Sequence, residues 1–94
     1  MPELNLKGNL PVLVDFFSNY CPPCKMLEPI FEELTKEFEG KIKFLRLNVD
    51  ENREIAAKYG VMSIPTLILF KNGQENKRIV GLRTKEELKK EIIA

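Results

Sequence analysis

An uninterrupted apolar run near the N-terminus places the strongest constraint on the fold of this chain. Residues 10–17 read Leu-Pro-Val-Leu-Val-Asp-Phe-Phe, a β-prone segment in which Asp15 is the one charge. A strand with one wet face would alternate apolar and polar residues, so an unbroken run is typical of a strand covered on both faces. The sheet that contains this strand therefore needs helices on each side.

Six further elements are predicted from apolar periodicity and turn residues. In chain order they are a helix at about 24–38, a strand at 42–49, a short helix at 50–59, a strand at 66–70, a return strand to about Val80 and a helix opening at Thr84. Gly40 and Gly60 end the first two helices, and Pro29 is expected to kink the first because its ring removes a backbone donor. Asp50 is expected to cap the short helix.

Two local motifs organise the last third of the chain. Asn-Gly at 72–73 is a strong hairpin signal, and residues 84–87 form a capping box that opens a helix with Leu88 and Ile92 on one face. Strands separated by helices are expected to run parallel, and the hairpin strands antiparallel. The predicted fold is α/β, a single domain over 1–94 with a four-stranded mixed sheet, helices on both faces and the order β-α-β-α-β-β-α.

Two cysteines lie where the first strand leads into the first helix. The segment Cys21-Pro22-Pro23-Cys24 places Cys21 at the helix N-cap and the prolines in the first turn, where a missing N–H costs nothing. The Cys24 N–H is then free to point at the Cys21 sulfur, and the helix end, with a partial charge of about +0.5, favours the Cys21 thiolate. Cys24, one turn away, is placed to resolve a mixed disulfide made by Cys21.

A metal site and a pair of inert thiols are the alternatives to a redox pair. A four-ligand zinc site needs more ligands, and the chain has two cysteines and no histidine, so zinc would require a site shared between two chains. Inert thiols fit poorly with a helix N-terminus bracketed by prolines. A redox dithiol is favoured, and without histidine Ser-His and Cys-His nucleophilic catalysis are excluded.

Charge and hydropathy exclude further classes of protein. Fifteen basic and 14 acidic side chains give a formal charge of +1, which offers no electrostatic basis for a nucleic-acid or anionic-membrane partner. No apolar run approaches the roughly 18–20 residues that span a bilayer, and no secretory signal is recognisable. We therefore expect a cytoplasmic protein. No glycine-rich nucleotide fingerprint is present, so no cofactor is expected.

The cysteine motif and its surroundings resemble the thioredoxin family from about Leu10 to the end of the chain. The matching segments, at the family's spacings, are 14–17, 20–25, Pro29, 47–50, 59–61, 64–66, 70–73 and 80–81. A CxxC pair alone would be unspecific, whereas this set is highly specific. The resemblance implies a thioredoxin-like fold and a thiol–disulfide oxidoreductase that reduces protein disulfides.

The resemblance also implies residue roles. Cys21 would attack, Cys24 would resolve, and Asp15 would lie buried beneath the disulfide with a raised pKa and accept the Cys24 proton through a water. Pro65 would be a cis-proline facing the cysteines, with the Ile64 backbone pairing with an extended substrate; without the resemblance, Pro65 is a plain turn proline. The remaining groove residues implied are Tyr20, Pro22, Val80 and Gly81.

The sequence departs from the family pattern at several site positions. Tyr20 and Phe17 replace two customary tryptophans, which keeps the groove apolar but changes its shape. Pro-Pro at 22–23 replaces Gly-Pro, which stiffens the loop and can change the reduction potential; Cys-Pro-x-Cys also occurs in glutaredoxins. Arg46 replaces a lysine and would lower the pKa of Asp15 if it reached that carboxylate. The alternative is a solvated arginine.

A short N-terminal segment is the last departure. Nine residues precede the first strand, so four strands are expected instead of five, and strand 42–49 becomes an edge that invites pairing with another chain. Leu4 and Leu6 are candidates for a partial cover. We expect a monomer, with an edge-strand dimer as the alternative, and gel filtration at high concentration distinguishes them.

The favoured function is reduction of protein disulfides through a reversible Cys21–Cys24 dithiol, regenerated by a thioredoxin reductase or a similar donor. Two alternatives stay open. One is a glutaredoxin-like enzyme that draws electrons from glutathione. The other is a binding module that uses the groove as a docking surface without catalysis.

Overall fold

The computed structural model describes Leu4, Leu6 and residues 8–94. Its elements are β1 (Val12–Phe17), α1 (Pro22–Glu37), β2 (Lys43–Asn48), α2 (Arg53–Lys58), β3 (Thr66–Lys71), β4 (Gln74–Val80) and α3 (Lys85–Ile93). The predicted order β-α-β-α-β-β-α is confirmed, and the element ends differ from the predicted ones by a few residues. None of the helices in these residues is both long and apolar enough to cross a membrane.

The four strands form one mixed sheet in the order β2-β1-β3-β4. β1 and β2 are parallel, and β3 and β4 are antiparallel. Both pairings were predicted. The expectation that all helix-separated strands run parallel is wrong for β3, which is antiparallel to β1. The six-residue α2 is about 9 Å long, too short to return the chain along a strand of about 20 Å. β3 therefore starts at the edge where β1 and β2 end.

Both faces of the sheet are covered, as the apolar run predicts. The cluster against α1 and α3 contains Leu13, Leu27, Phe31, Leu34, Leu67, Leu69, Ile79, Leu88 and Ile92. The cluster against α2 contains Val12, Val14, Phe16, Leu47, Ile55, Ile68 and Phe70. Side chains alternate along a strand, so Asp15, two residues after Leu13, lies on the α1 side.

The predicted hairpin and capping box are both present. Asn72 and Gly73 have φ of 55° and 78°, the left-handed pair that a type I′ hairpin requires. Thr84 accepts from the Glu87 N–H, and the Glu87 side chain accepts from the Thr84 N–H. Both motifs depend only on residues within four positions, which is why the sequence alone predicts them.

The predicted cap of the short helix is wrong. α2 begins after Asn52, which makes no side-chain cap, and the Asp50 carboxylate accepts a hydrogen bond from Ser18 Oγ instead. The chain first turns between Asn48 and Asn52, with the Glu51 N–H donating to the Asn48 carbonyl. That turn leaves Asp50 too far upstream to reach the first N–H groups of α2.

In the described part of the chain β2 is an edge strand, as predicted. Leu4 and Leu6 pack against the core cluster on the α2 side, which includes Leu47 of β2. They cover part of that face of the sheet. The oligomeric state stays a prediction.

Candidate active site

Cys21 lies at the positive end of α1. It is the N-cap residue, with extended φ and ψ of −119° and 103°, and Pro22 and Pro23 occupy the first two helical positions. The Cys24 N–H donates to Cys21 Sγ at 3.2 Å, and the Lys25 N–H donates to the Cys21 carbonyl. This confirms the predicted cap, and the same dipoles favour a negative charge on the sulfur when it is reduced.

The two cysteines form a disulfide. Their Cα atoms are 5.2 Å apart, within the usual range of about 4.4–6.8 Å. Cys21 keeps 7% of its surface exposed and Cys24 only 1%. An incoming thiol or disulfide therefore meets Cys21 first, while Cys24 lies beneath it.

Ser18 anchors the loop that carries Cys21. It is buried, donates to the Asp50 carboxylate, and its oxygen accepts from the Tyr20 N–H at 3.2 Å. The Val49 N–H donates to the Phe17 carbonyl at 2.8 Å, which joins the same two segments through their backbones. Sequence reasoning missed Ser18. The available signal was that Ser18 and Asp50 each follow a parallel strand, whose carboxyl ends meet at one edge.

Three of the predicted groove residues, Pro65, Val80 and Gly81, lie at this same edge of the sheet. Thr66 pairs with Phe16 of β1 on one side and with Val80 of β4 on the other. The Ile64–Pro65 bond just before Thr66 is cis, as the resemblance implied, and the Gly81 N–H donates to the Pro65 carbonyl at 2.8 Å. Pro65, Val80 and Gly81 therefore lie at the end of β1 from which the loop leads to Cys21.

The residues predicted to line the substrate groove are largely apolar, and several of them are exposed. Tyr20 is 90% exposed and Val80 47%, Pro22 is exposed, and Ile64 is half-buried. Met62, three residues before the cis-proline, is 95% exposed and was not predicted. Exposed aromatic and aliphatic side chains beside a buried sulfur suit contact with an unfolded or extended protein segment.

Asp15 is fully buried on the α1 side of the sheet. It lies opposite Arg46 in the β1–β2 register, and Arg46 Nε donates to its Oδ2 at 3.4 Å. Within the part of the chain that the structure describes, Oδ1 has no hydrogen-bond partner. Burial raises the pKa of Asp15 to about 6, although Arg46 acts in the opposite direction through its charge and hydrogen bond. The raised pKa of Asp15 is the one that the resemblance implied. Of the two alternatives that the sequence left open for Arg46, the structure has the contact with Asp15.

A small cavity lies beside Cys24. Its volume is about 50 Å³, and its lining includes Phe17, Cys24, Lys25, Glu28 and Arg46. A water needs roughly 10–15 Å³ of such space and two or more polar partners, so the cavity can hold one next to the buried sulfur. No group of three or more histidine, cysteine or acidic side chains among the described residues is arranged to bind a metal.

Comparison with known proteins places the chain among close relatives. A family model described as Thioredoxin matches residues 3–94. The thioredoxin of Rickettsia bellii is 55% identical over 83 residues, which cover 88% of this chain and 79% of that protein, and the Rickettsia felis thioredoxin is 52% identical over the same lengths. The thioredoxin of Staphylococcus aureus is 57% identical over 76 residues, covering 81% and 73% of the two chains.

Asp15 is expected to make the protein less stable as pH rises. In the folded protein its pKa is about 6, above the ordinary value of 3.8. The protonated carboxyl therefore contributes its full stabilisation below about pH 4, and this stabilisation is lost as the pH rises through 6. Asp15→Asn cannot ionise. We expect it to raise the free energy of unfolding by up to about 3 kcal/mol at pH 8 and by little at pH 4.

Urea denaturation at the two pH values measures this difference. Glu32→Gln, which removes an exposed carboxylate from α1, is the control and should show no pH-dependent gain. An Asp15→Asn gain of equal size at both pH values would contradict the prediction.

Proposed function

Because the chain belongs to the thioredoxin family and is a thiol–disulfide oxidoreductase, we propose that it reduces protein disulfides with Cys21 as the attacking thiol. The assignment of Cys21 rests on its place at the N-cap of α1, where the Cys24 N–H donates a hydrogen bond to its sulfur. Cys21 is also the more exposed of the two cysteines. A thiolate stabilised there is the nucleophile that disulfide exchange requires.

The proposed reaction has two exchange steps. The Cys21 thiolate attacks one sulfur of the substrate disulfide, whose S–S bond breaks as a new bond to Cys21 forms, and the departing thiolate takes a proton from water. Cys24 then loses its proton, and its thiolate attacks Cys21 Sγ and releases the second substrate sulfur as a thiolate that is protonated in turn. The substrate gains two electrons and two protons, and the protein is left with the Cys21–Cys24 disulfide.

Asp15 is the proposed acceptor of the Cys24 proton. Its buried carboxyl faces the α1 side of the sheet and has a pKa of about 6, so it is a better base near neutral pH than an ordinary carboxylate. A water would carry the proton between them; the cavity beside Cys24 has room for one, and its lining includes Arg46, which donates to Asp15.

The proposed substrate site is the rim around Cys21. An extended segment would pair with the Ile64 backbone before the cis-proline, in the manner of an added strand. Its side chains would contact the apolar groups at this edge: Tyr20, Pro22, Pro65, Val80 and Gly81. These contacts are general, which fits an enzyme that acts on many proteins.

Cys24→Ala is expected to trap substrates. Without the resolving thiol the mixed disulfide on Cys21 cannot be displaced internally, so it accumulates and turnover is lost. Mass spectrometry under non-reducing conditions detects the adduct, and dithiothreitol should release it. Cys21→Ala is the matched control and should form no adduct; an adduct on Cys24 in that variant would reverse the assigned roles.

A thioredoxin reductase is the proposed electron donor. We expect reductase with NADPH to sustain reduction of insulin disulfides, and glutathione with its own reductase to support only slow turnover. The rate of disulfide reduction is measured from the precipitation of the freed insulin chains. Faster turnover with glutathione would favour the glutaredoxin-like alternative, whereas a Cys21→Ser variant that still supports full function in cells would favour the binding module.

The proposed location is the cytoplasm. A protein that donates electrons to disulfides needs a compartment in which thiols are kept reduced, and both cysteines of the chain belong to the exchange pair, so none serves as a structural cross-link. Fractionation of cells followed by detection with a specific antibody tests this proposal. Recovery of the protein mainly outside the cytoplasm would overturn it.

A further inference from the structure

The Arg46 guanidinium contacts two carboxylates, the buried Asp15 and the more exposed Glu28. Arg46 places Nε 3.4 Å from Asp15 Oδ2 and Nη1 3.7 Å from Glu28 Oε2. Its central carbon lies 3.9 Å from the centre of the Phe17 ring. The Asp15 side chain is fully buried, whereas Arg46 and Glu28 are 31% and 47% exposed. Arg46 is therefore shared between an inner and an outer carboxylate while an aromatic face supports it.

The contact between Arg46 and Asp15 is loose for an ion pair. Charge-assisted N–H···O bonds are usually about 2.7–2.9 Å, and an arginine that faces one carboxylate commonly uses two donors. Here one donor reaches Asp15, at 3.4 Å, and Oδ1 has no partner among the described residues. The second arm of the guanidinium is turned toward Glu28.

Glu28 also belongs to the surroundings of the resolving cysteine. It lies four residues after Cys24 on α1, hence on the same helix face, and lines the same cavity as Cys24 and Arg46. The other charged group at this cavity is Lys25, also on α1. From the β3 side Asp15 meets Leu67, which is apolar. The charges that face Asp15 thus come from Arg46 on β2 and from α1.

We propose that Glu28 is a positioning residue whose carboxylate holds the Arg46 guanidinium partly away from Asp15, so that Asp15 can take and release a proton during exchange. This inference rests on the role proposed above for Asp15. Without Glu28 the guanidinium would be free to move closer to Asp15 and pair with both of its oxygens through two donors. The carboxylate would then stay ionised to lower pH and would be a weaker base.

The test is a carboxyl titration of Asp15 by NMR in the oxidised protein, in which neither cysteine titrates. Glu28→Gln should lower the midpoint by a few tenths of a pH unit, the scale of a half-exposed ion pair, and Arg46→Met should raise it. If Glu28 acts through Arg46, the Glu28→Gln shift should fall to less than half in the Arg46→Met background. Glu32→Gln, which removes an exposed carboxylate of the same helix, should leave the midpoint unchanged.

Two results would overturn the inference: an unmoved midpoint in Glu28→Gln, or an equal shift with and without Arg46, which would mean that Glu28 acts by its charge alone. The pH dependence of release from a preformed Cys21 mixed disulfide gives the second readout, and its acid limb should move with the Asp15 midpoint. If the Asp15 midpoint moves but the acid limb of the release rate does not, the Glu28–Arg46 coupling is supported. The role of Asp15 as proton acceptor would then be overturned.

Discussion

The hydrogen bond from the Cys24 N–H to the Cys21 sulfur is the contact on which the site depends. It exists because Cys21 is the N-cap of α1, which begins at Pro22. The helix begins there because two prolines fill the positions whose N–H groups have no partner within the helix. Those prolines leave Cys24 as the first residue with an N–H to donate. Capping of the helix and stabilisation of the sulfur's charge are therefore one interaction.

The surrounding fold holds this helix end where a substrate can reach it. β1, β3 and β4 present Phe16, Thr66 and Val80 in one row at the sheet edge. Ser18 ties the cysteine loop to the turn after β2 through Asp50. The loop is thus fixed from two directions, and Cys21 keeps a small exposed fraction between the exposed residues Tyr20 and Pro22.

Asp15 shows the tension between stability and chemistry in a small protein. Once it is ionised, a carboxyl with no exposed surface, one loose ion pair and one oxygen without a hydrogen-bond partner among the described residues destabilises the folded state. The same burial gives it a pKa of about 6, which suits proton transfer near neutral pH. Ninety-four residues support a net stability of roughly 5–10 kcal/mol, so ionisation of this one carboxyl removes a sizeable part of it.

Features that depend on neighbours along the chain could be predicted from the sequence: the doubly covered strand at β1, the cap at Cys21, the hairpin at Asn72-Gly73 and the capping box at Thr84. Each depends on periodicity or on a hydrogen bond between residues a few positions apart, so the local sequence is enough to predict it. Three features could be seen only in the folded chain: the direction of β3, the pairing of Asp50 with Ser18 and the sharing of Arg46 between Asp15 and Glu28. These features join residues from 18 to more than 50 positions apart or depend on how far a short helix carries the chain, and strand register and packing set them.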